Sequence, residues 1–245
     1  MKIVSWNMNY CMKRSLYIDA WRYLIKEIKP DIALLQECGR IEQNAPNFFE
    51  MIGERGWGTG LYITPDIGNA EEIKIEPLSH PGTIVGAYVH LKNGKNLSVF
   101  SLYGLLETTK ESKNKYATTT IHRILSDMTY LFMGEGIYKG MNENVIIGGD
   151  LNISIQCDKK WGGKERYSCA HKICFDRIED FGLVSCYAGK KDFVRTLRHN
   201  RSNENWQNDY IYRSRNITTK SVEVIENSEV SHFSDHNIVV LEIDV

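Results

Sequence analysis

The 245-residue sequence lacks any apolar run long enough to cross a bilayer as a helix, so we expect no membrane-spanning segment. It also lacks an excess of either charge, because 30 basic and 31 acidic side chains leave a formal net charge of −1. This balance excludes bulk electrostatic capture of a polyanion but permits a local basic groove. No secretory signal precedes the first strand-like run, and we therefore expect a cytoplasmic protein.

Regular cysteine spacing, internal repeats, low-complexity tracts and linkers are absent as well. The six cysteines lie at irregular intervals, which in a cytosolic protein predicts free thiols. A zinc site at Cys157, Cys169, His171 and Cys174 is an open alternative, although their spacing matches no standard zinc finger. With 42% hydrophobic residues the chain can bury a sizeable core, and we expect residues 1–245 to form a single domain.

Many short strand-like runs and a few helical patterns follow one another along the chain. The spacing of apolar residues predicts helices over about 17–28, 110–133 and 172–181. Asn93-Gly94, within Lys92–Lys95, predicts the turn of a β-hairpin. Because strands predominate and some of them form hairpins, we expect two packed sheets with helices outside.

Seven polar residues share one context, since each lies at the end of a strand-like run. They are Asn7, Glu37, Asp150, Asn152, Asp209, Asp235 and His236. Strands of packed sheets bring their ends to a common rim, so these side chains could converge. Oxygen ligands of this kind suit Mg²⁺ and do not select zinc, and Mg²⁺ beside an imidazole and two amides fits phosphoryl chemistry. Taken singly, each residue could equally be a turn former or a solvated loop end.

Five short motifs contain these residues and follow one another from one end of the chain to the other. The motifs are Val4-Ser-Trp-Asn7, Leu35-Gln-Glu37, Gly148-Gly-Asp-Leu-Asn152, Asn208-Asp-Tyr-Ile211 and Ser234-Asp-His236. In residue types and in order they resemble the endonuclease/exonuclease/phosphatase superfamily, and most closely its exodeoxyribonuclease III and AP endonuclease members. The resemblance implies a four-layer α/β sandwich, in which two mixed β-sheets pack face to face with helices outside.

The resemblance also implies metal-dependent hydrolysis of a phosphoester by an activated water. Glu37 would be the principal ligand of Mg²⁺, with Asn7 and Asp235 nearby, and Mn²⁺ could substitute for Mg²⁺. Asp150 would orient or deprotonate the attacking water, and Asn152 would hold water and phosphate. The number of metal ions at the site stays open at this stage.

The remaining residues would contact the scissile phosphate or indicate which branch of the family the chain resembles. By the same resemblance, His236 would stabilise charge on the phosphate, and Asp209 would fix its tautomer. Tyr103 stands where exodeoxyribonuclease III-like members place a phosphate-contacting tyrosine, although a tyrosine packed on the core is an equal alternative. Trp206 resembles the Trp-x-x-Asp of AP endonucleases, where the aromatic ring walls the pocket for a flipped-out abasic sugar. Asn208 departs from that pattern, because those enzymes carry an apolar residue there.

The segment 190–215 interleaves basic and aromatic residues, as a nucleic-acid groove does. We expect Arg198 and Arg201 in this segment to bind nucleic-acid phosphates, although a solvated basic face has the same composition. The sequence therefore predicts a Mg²⁺-dependent phosphodiesterase, foremost a DNA nuclease that does not bind membranes. A small-molecule or lipid-headgroup phosphatase is the alternative among enzymes, and a catalytically inactive nucleic-acid-binding module is the alternative from another class.

Overall fold

The computed structural model describes eight stretches of the chain, namely residues 1–40, 47–75, 79–108, 116–133, 144–161, 170–189, 192–199 and 203–245. The strands in these stretches are β1 (Lys2–Asn7), β2 (Ile32–Cys38), β3 (Phe48–Ile52), β4 (Gly58–Ile63), β5 (Gly68–Ile73), β6 (Ile84–Leu91), β7 (Asn96–Tyr103), β8 (Leu106–Thr108), β9 (Tyr116–Thr119), β10 (Val145–Asp150), β11 (Leu183–Ser185), β12 (Asp209–Ser214), β13 (Thr218–Ile225) and β14 (Ile238–Asp244). The helices are α1 (Tyr10–Lys13), α2 (Tyr17–Tyr23), α3 (Ile121–Met133), α4 (Ile155–Trp161), α5 (Ala170–Asp180) and α6 (Ser228–Phe233).

Two six-stranded sheets form the centre of the molecule. The first has the strand order β13-β14-β1-β2-β4-β3 and the second has the order β11-β12-β10-β7-β6-β5. Both are mixed, because β1 pairs with β2 in parallel and β10 pairs with β7 in parallel, while the other neighbours are antiparallel. The sheets pack against each other through one large apolar core.

Alternate residues of the central strands face opposite sides of the first sheet, as the two-residue repeat of a strand requires. Ile3 and Leu34 face the second sheet and join the large core. Val4 and Leu35 face the other way and join a smaller core, which contains Trp21 of α2. These strands are buried on both faces, and their inner residues are therefore mainly apolar, with Ser5 and Gln36 as buried polar exceptions.

Helices cover the outer face of each sheet and complete the four layers. Helix α2 packs on the first sheet, and a single π-helical turn extends it through Ile28. Helices α3 and α5 contribute Met128 and Ile178 to the large core, on the side of the second sheet. The predicted α/β sandwich of two mixed sheets with outer helices is thus confirmed. No helix in the described stretches is both long and apolar enough to cross a membrane.

The local predictions differ from the structure mainly around α3. This helix begins at Ile121 and not near residue 110, because Tyr116–Thr119 forms β9 and pairs with β8. The threonines before Ile121 explain the difference, since β-branched residues favour strands over helices. The predicted hairpin between β6 and β7 is present, but Gly94 alone of its two central residues has a positive φ.

Candidate active site

The sheet register brings the predicted residues to one rim. Asp150 is the last residue of β10 and lies opposite both Tyr103 of β7 and Asp209 of β12. Asn7 ends β1 in the neighbouring sheet, and its amide Nδ2 donates to Asp150 Oδ2 at 3.0 Å across the gap between the sheets. His236 lies two residues before β14, which runs antiparallel to β1 and therefore starts at the same rim. Residues that are distant in sequence meet here because strand ends from both sheets coincide.

His236 lies between two carboxylates at the floor of the site. Its Nδ1 is 2.9 Å from Asp209 Oδ2, and its Nε2 is 3.7 Å from Asp150 Oδ2. Burial lowers the pKa of His236, but the two carboxylates outweigh burial and raise the pKa above its ordinary value. Burial also raises the pKa of Asp150, although the imidazolium opposes that shift. The arrangement holds a proton on His236 beside a carboxylate that is a stronger base than an exposed aspartate.

The backbone around Asp209 and His236 is held by a residue that the sequence motifs do not contain. Thr196 is fully buried, and its hydroxyl oxygen accepts from the backbone N–H of Asn208 at 2.9 Å and of Asp209 at 3.1 Å. Its carbonyl accepts from the N–H of Asn237 at 2.7 Å. Thr196 therefore joins the two segments that carry the Asp209–His236 pair.

Glu37 projects into the site from a β-bulge. The pairing of β2 with β4 shifts register around Glu37, whose φ is +47°. A bulge of this kind redirects one side chain, here out of the sheet and into the site. Its Oε1 accepts from the hydroxyl of Tyr103 at 2.9 Å and from the amide of Asn7 at 3.3 Å, and its Oε2 accepts from the thiol of Cys11 at 3.0 Å.

The neighbours of Glu37 remain neutral donors at physiological pH. Burial, followed by the charge of Glu37, raises the pKa of Tyr103 well above the ordinary value for a phenol. Burial and the bond to Glu37 raise the pKa of Cys11 to about 12. Asn7 turns its amide nitrogen toward Glu37, while its Oδ1 accepts from the N–H of Asn9. An amide nitrogen does not bind metal ions, so in this arrangement Asn7 holds the carboxylate of Glu37.

Asn152 and Asp150 form a tight turn after β10. The backbone N–H of Asn152 donates to Asp150 Oδ1 at 2.9 Å, and its side-chain amide donates to Asp150 Oδ2 at 3.2 Å. The φ of Asn152 is +49°, which asparagine tolerates better than most residues. Asn208 donates to the side-chain oxygen of Asn152 at 3.5 Å, so its polar side chain packs within the site.

Asp235 immediately precedes His236 in sequence and faces the open part of the site. Its Oδ1 accepts from the side chain of Asn9 at 2.9 Å, a contact that the sequence motifs did not predict. The side chain of Arg198 donates to the carbonyl of Ser234, and its backbone N–H donates to the carbonyl of Asp235 at 2.8 Å. Arg201 lies outside the described residues.

A cavity of about 430 Å³ opens above these groups. Among the described residues, its lining comprises Cys11, Glu37, Arg55, Trp57, Tyr103, Leu105, Leu106, Asp150, Asn152, Leu197, Arg198, His199, Asp235 and His236. Trp206 is not among them; it is only 8% exposed, and its backbone pairs with that of Leu197. The tryptophan in the lining is instead Trp57, which immediately precedes β4 of the first sheet.

Two groups of side chains in the described stretches bear on metal binding. Asp150, Asp209 and His236 lie close enough together to hold an ion, but both ring nitrogens of His236 already face carboxylates. Glu37 and Asp235 instead turn carboxylates toward the open cavity, and such oxygen donors suit a hard divalent cation. The alternative zinc site is not supported, because Cys157, His171 and Cys174 form no such group and Cys169 lies outside the described residues.

The model of the Endonuclease/Exonuclease/phosphatase family matches residues 4–236, which is nearly the whole chain. The chain belongs to this family. The resemblance that the five motifs indicated is therefore confirmed, and the chain is a hydrolytic enzyme of a family that generally uses a divalent metal ion. No curated protein matches the sequence.

Solved structures of the same fold include several DNA-processing enzymes. An AP endonuclease from Archaeoglobus fulgidus is 16% identical with a TM-score of 0.70, and the match covers 100% of both chains. The 3′ phosphatase NExo from Neisseria, bound to a product DNA hairpin, is 18% identical with a TM-score of 0.69 over 100% of both chains. TDP2 from D. rerio, complexed with a single-strand DNA product, is 16% identical with a TM-score of 0.64 over 100% of this chain and 99% of that one. At these identities the likeness establishes the fold alone.

Proposed function

We propose that this family member is a Mg²⁺-dependent DNA nuclease that hydrolyses a phosphodiester by in-line attack of water. The observation that carries the proposal is the placement of Asp150, the Asp209–His236 pair and Glu37 around one open cavity. A base, a charged donor and a carboxylate for the metal are the parts that phosphoester hydrolysis requires.

Asp150 acts as the general base in this proposal. Asn7 and Asn152 hold its carboxylate, and burial raises its pKa toward the range in which a carboxylate removes protons effectively. The oxygen of water bonds to phosphorus while the bond to the leaving oxygen breaks, and the proton of that water passes to Asp150. His236 stays protonated through Asp209 and donates from Nε2 to a phosphate oxygen, where negative charge increases in the transition state.

Glu37 and Asp235 are the residues that would hold Mg²⁺. When bound, the ion neutralises the charge of the phosphate and of its leaving oxygen. Tyr103 and Asn7 keep the Glu37 carboxylate in place by donating to the same oxygen. In the same proposal Arg198 supplies positive charge for the phosphate from the cavity wall, since a guanidinium keeps its charge at physiological pH.

The lining of the cavity favours a nucleic acid over a small phosphorylated metabolite. Leu105, Leu106, Leu197 and Trp57 form an apolar wall beside the polar floor, and such a wall suits a sugar or a base. A polyphosphorylated headgroup would call for several cations, but Arg55, Arg198 and His199 are the basic residues of the described lining besides His236. The DNA in the NExo and TDP2 structures supports the same substrate class.

Hydrolysis assays with wild-type protein and Asp150→Asn test the proposal. The substrates are single-stranded DNA, duplex DNA, duplex DNA with an abasic site, RNA and inositol polyphosphates, each with Mg²⁺ and with EDTA. We expect DNA cleavage that EDTA abolishes and that Asp150→Asn lowers by about 10²–10⁴-fold, the usual contribution of a general base. Asp66→Asn is the matched control, because Asp66 is exposed and distant from the cavity. Phosphate release from inositol polyphosphates without DNA cleavage would refute the substrate assignment.

A further inference from the structure

A second cavity, of about 320 Å³, adjoins the active-site cavity. Arg55, Trp57 and Leu105 line both, so the two cavities form one continuous trough. Ser79, His80 and Pro81 form the far side of the second cavity. None of these residues belongs to the five sequence motifs, and the proposed hydrolysis does not use the second cavity.

Hydrogen bonds hold both walls of the second cavity. The turn between β3 and β4 closes through the N–H of Gly53, which donates to the carbonyl of Trp57 at 3.0 Å. On the far side, the hydroxyl and the N–H of Ser79 both donate to Asp127 of α3, a residue only 8% exposed. Both walls of the cavity are therefore tied to the fold by hydrogen bonds, although Arg55, Ser79 and Pro81 in its lining are exposed.

Trp57 and Arg55 provide a platform where the two cavities meet. The indole of Trp57 is half-buried, and its centre lies 5.7 Å from the ring centre of Tyr103, which fixes the orientation of the indole. The exposed guanidinium of Arg55 lies 5.9 Å from the centre of the same indole. Arg55 therefore lies over the ring, and its side chain is exposed. An aromatic ring with an exposed cation next to it is a combination that binds single-stranded nucleic acid, because a base stacks on the ring and the cation contacts the phosphate.

We propose that the second cavity binds an unpaired nucleotide next to the scissile phosphate, with its base on Trp57 and its phosphate at Arg55. The inference rests on the proposed nuclease function and adds the form of the substrate. A base in a duplex is stacked between its neighbours and cannot lie on Trp57. The enzyme therefore prefers single-stranded DNA, or an end whose terminal pairs have opened, over intact duplex.

The test compares kcat/KM on one oligodeoxynucleotide as a single strand and as a blunt duplex. Wild-type protein should prefer the single strand, and Trp57→Ala should reduce that preference by about tenfold, equivalent to about 1.4 kcal/mol. Trp57→Phe should retain most of the preference, since phenylalanine keeps an aromatic face and the contact with Tyr103. Tyr130→Ala is the control, because Tyr130 is an exposed aromatic residue on α3, at 61% exposure, and lines neither cavity.

The possible outcomes distinguish a failure of the nucleotide subsite from a failure of the nuclease function. Cleavage of duplex as fast as single strand by wild-type protein refutes the subsite and leaves the nuclease function intact. A single-strand preference that survives in Trp57→Ala does the same, because the preference then arises elsewhere. A preference that Trp57→Ala and Trp57→Phe reduce equally also refutes stacking, since only one of them removes the aromatic face. Absence of cleavage of either form by wild-type protein refutes the nuclease function and the subsite together.

Discussion

Replacement of Thr196 by valine tests whether the backbone beneath Asp209 positions the catalytic histidine. Valine keeps the shape and the methyl group of threonine but removes the oxygen that accepts from two backbone N–H groups. Thr196 is fully buried, and so is Asp209, so water cannot readily replace the lost acceptor at Asp209. Asn208 is partly exposed, and its N–H can be hydrated at lower cost.

The loss of the two hydrogen bonds to the Thr196 hydroxyl sets the expected loss of stability. A buried donor without an acceptor costs about 1–3 kcal/mol, so the loss at Asp209 with a smaller loss at Asn208 should lower the free energy of unfolding by about 2–4 kcal/mol. Thr196→Ser keeps the oxygen and removes one methyl group, which should cost only about 1 kcal/mol. Because Asp209 orients His236, we also expect Thr196→Val to lower kcat while Thr196→Ser largely retains it.

Urea titrations followed by circular dichroism would measure the stability of both variants, and DNA hydrolysis under saturating substrate would measure kcat. The serine variant is the matched control, since it keeps the hydroxyl that the valine variant lacks. If Thr196→Val were as stable as Thr196→Ser and equally active, the oxygen of Thr196 would not hold the Asp209 backbone, and the reasoning would fail.

Two further substitutions test the support of the metal ligand Glu37 and the close backbone packing at Gly149. Tyr103→Phe removes the hydroxyl that donates to Glu37 but keeps the aromatic ring. The Mg²⁺ concentration for half-maximal activity should therefore rise, with no change in thermal stability. An unchanged Mg²⁺ titration would show that Tyr103 does not hold Glu37 in place as a ligand of the metal. Gly149→Ala should abolish soluble folded protein, because a Cβ there would lie 1.9 Å from the carbonyl oxygen of Leu102. Gly189→Ala is its control, since Gly189 also has a positive φ but open space around it, and equal yields of both variants would contradict the clash.

The sequence predicted the members of the site better than their contacts. Strand ends are visible as polar residues next to an apolar run, after it at Asn7 and Asp150 and before it at His236, and these three residues could therefore be identified without a structure. Thr196 and Asn9 could not, because their partners lie far away in sequence and a single threonine or asparagine has no distinguishing pattern. Such contacts depend on the register of strands in two sheets, which periodicity does not encode.

Trp206 shows how a local spacing can indicate the wrong neighbour. Its position three residues before Asp209 suggested an aromatic wall, but Trp206 is only 8% exposed and is not among the residues that line the cavity. Trp57 occupies the wall instead, although nothing in its local sequence distinguishes it from a core aromatic residue. In the present proposal Trp57, and not Trp206, contacts the substrate.

The charge of the site gives an independent reason for a divalent ion. Glu37, Asp150 and Asp235 are carboxylates of the cavity lining, and Asp209 lies against His236. Arg55 and Arg198 also line the cavity, and His236 counts as positive because the carboxylates raise its pKa. Four carboxylates against three cations leave an excess of one negative charge. A phosphodiester entering this field without a metal ion would meet net repulsion in a partly buried cavity, where charges are poorly screened. One divalent ion reverses the excess, so binding of DNA and binding of Mg²⁺ should each strengthen the other.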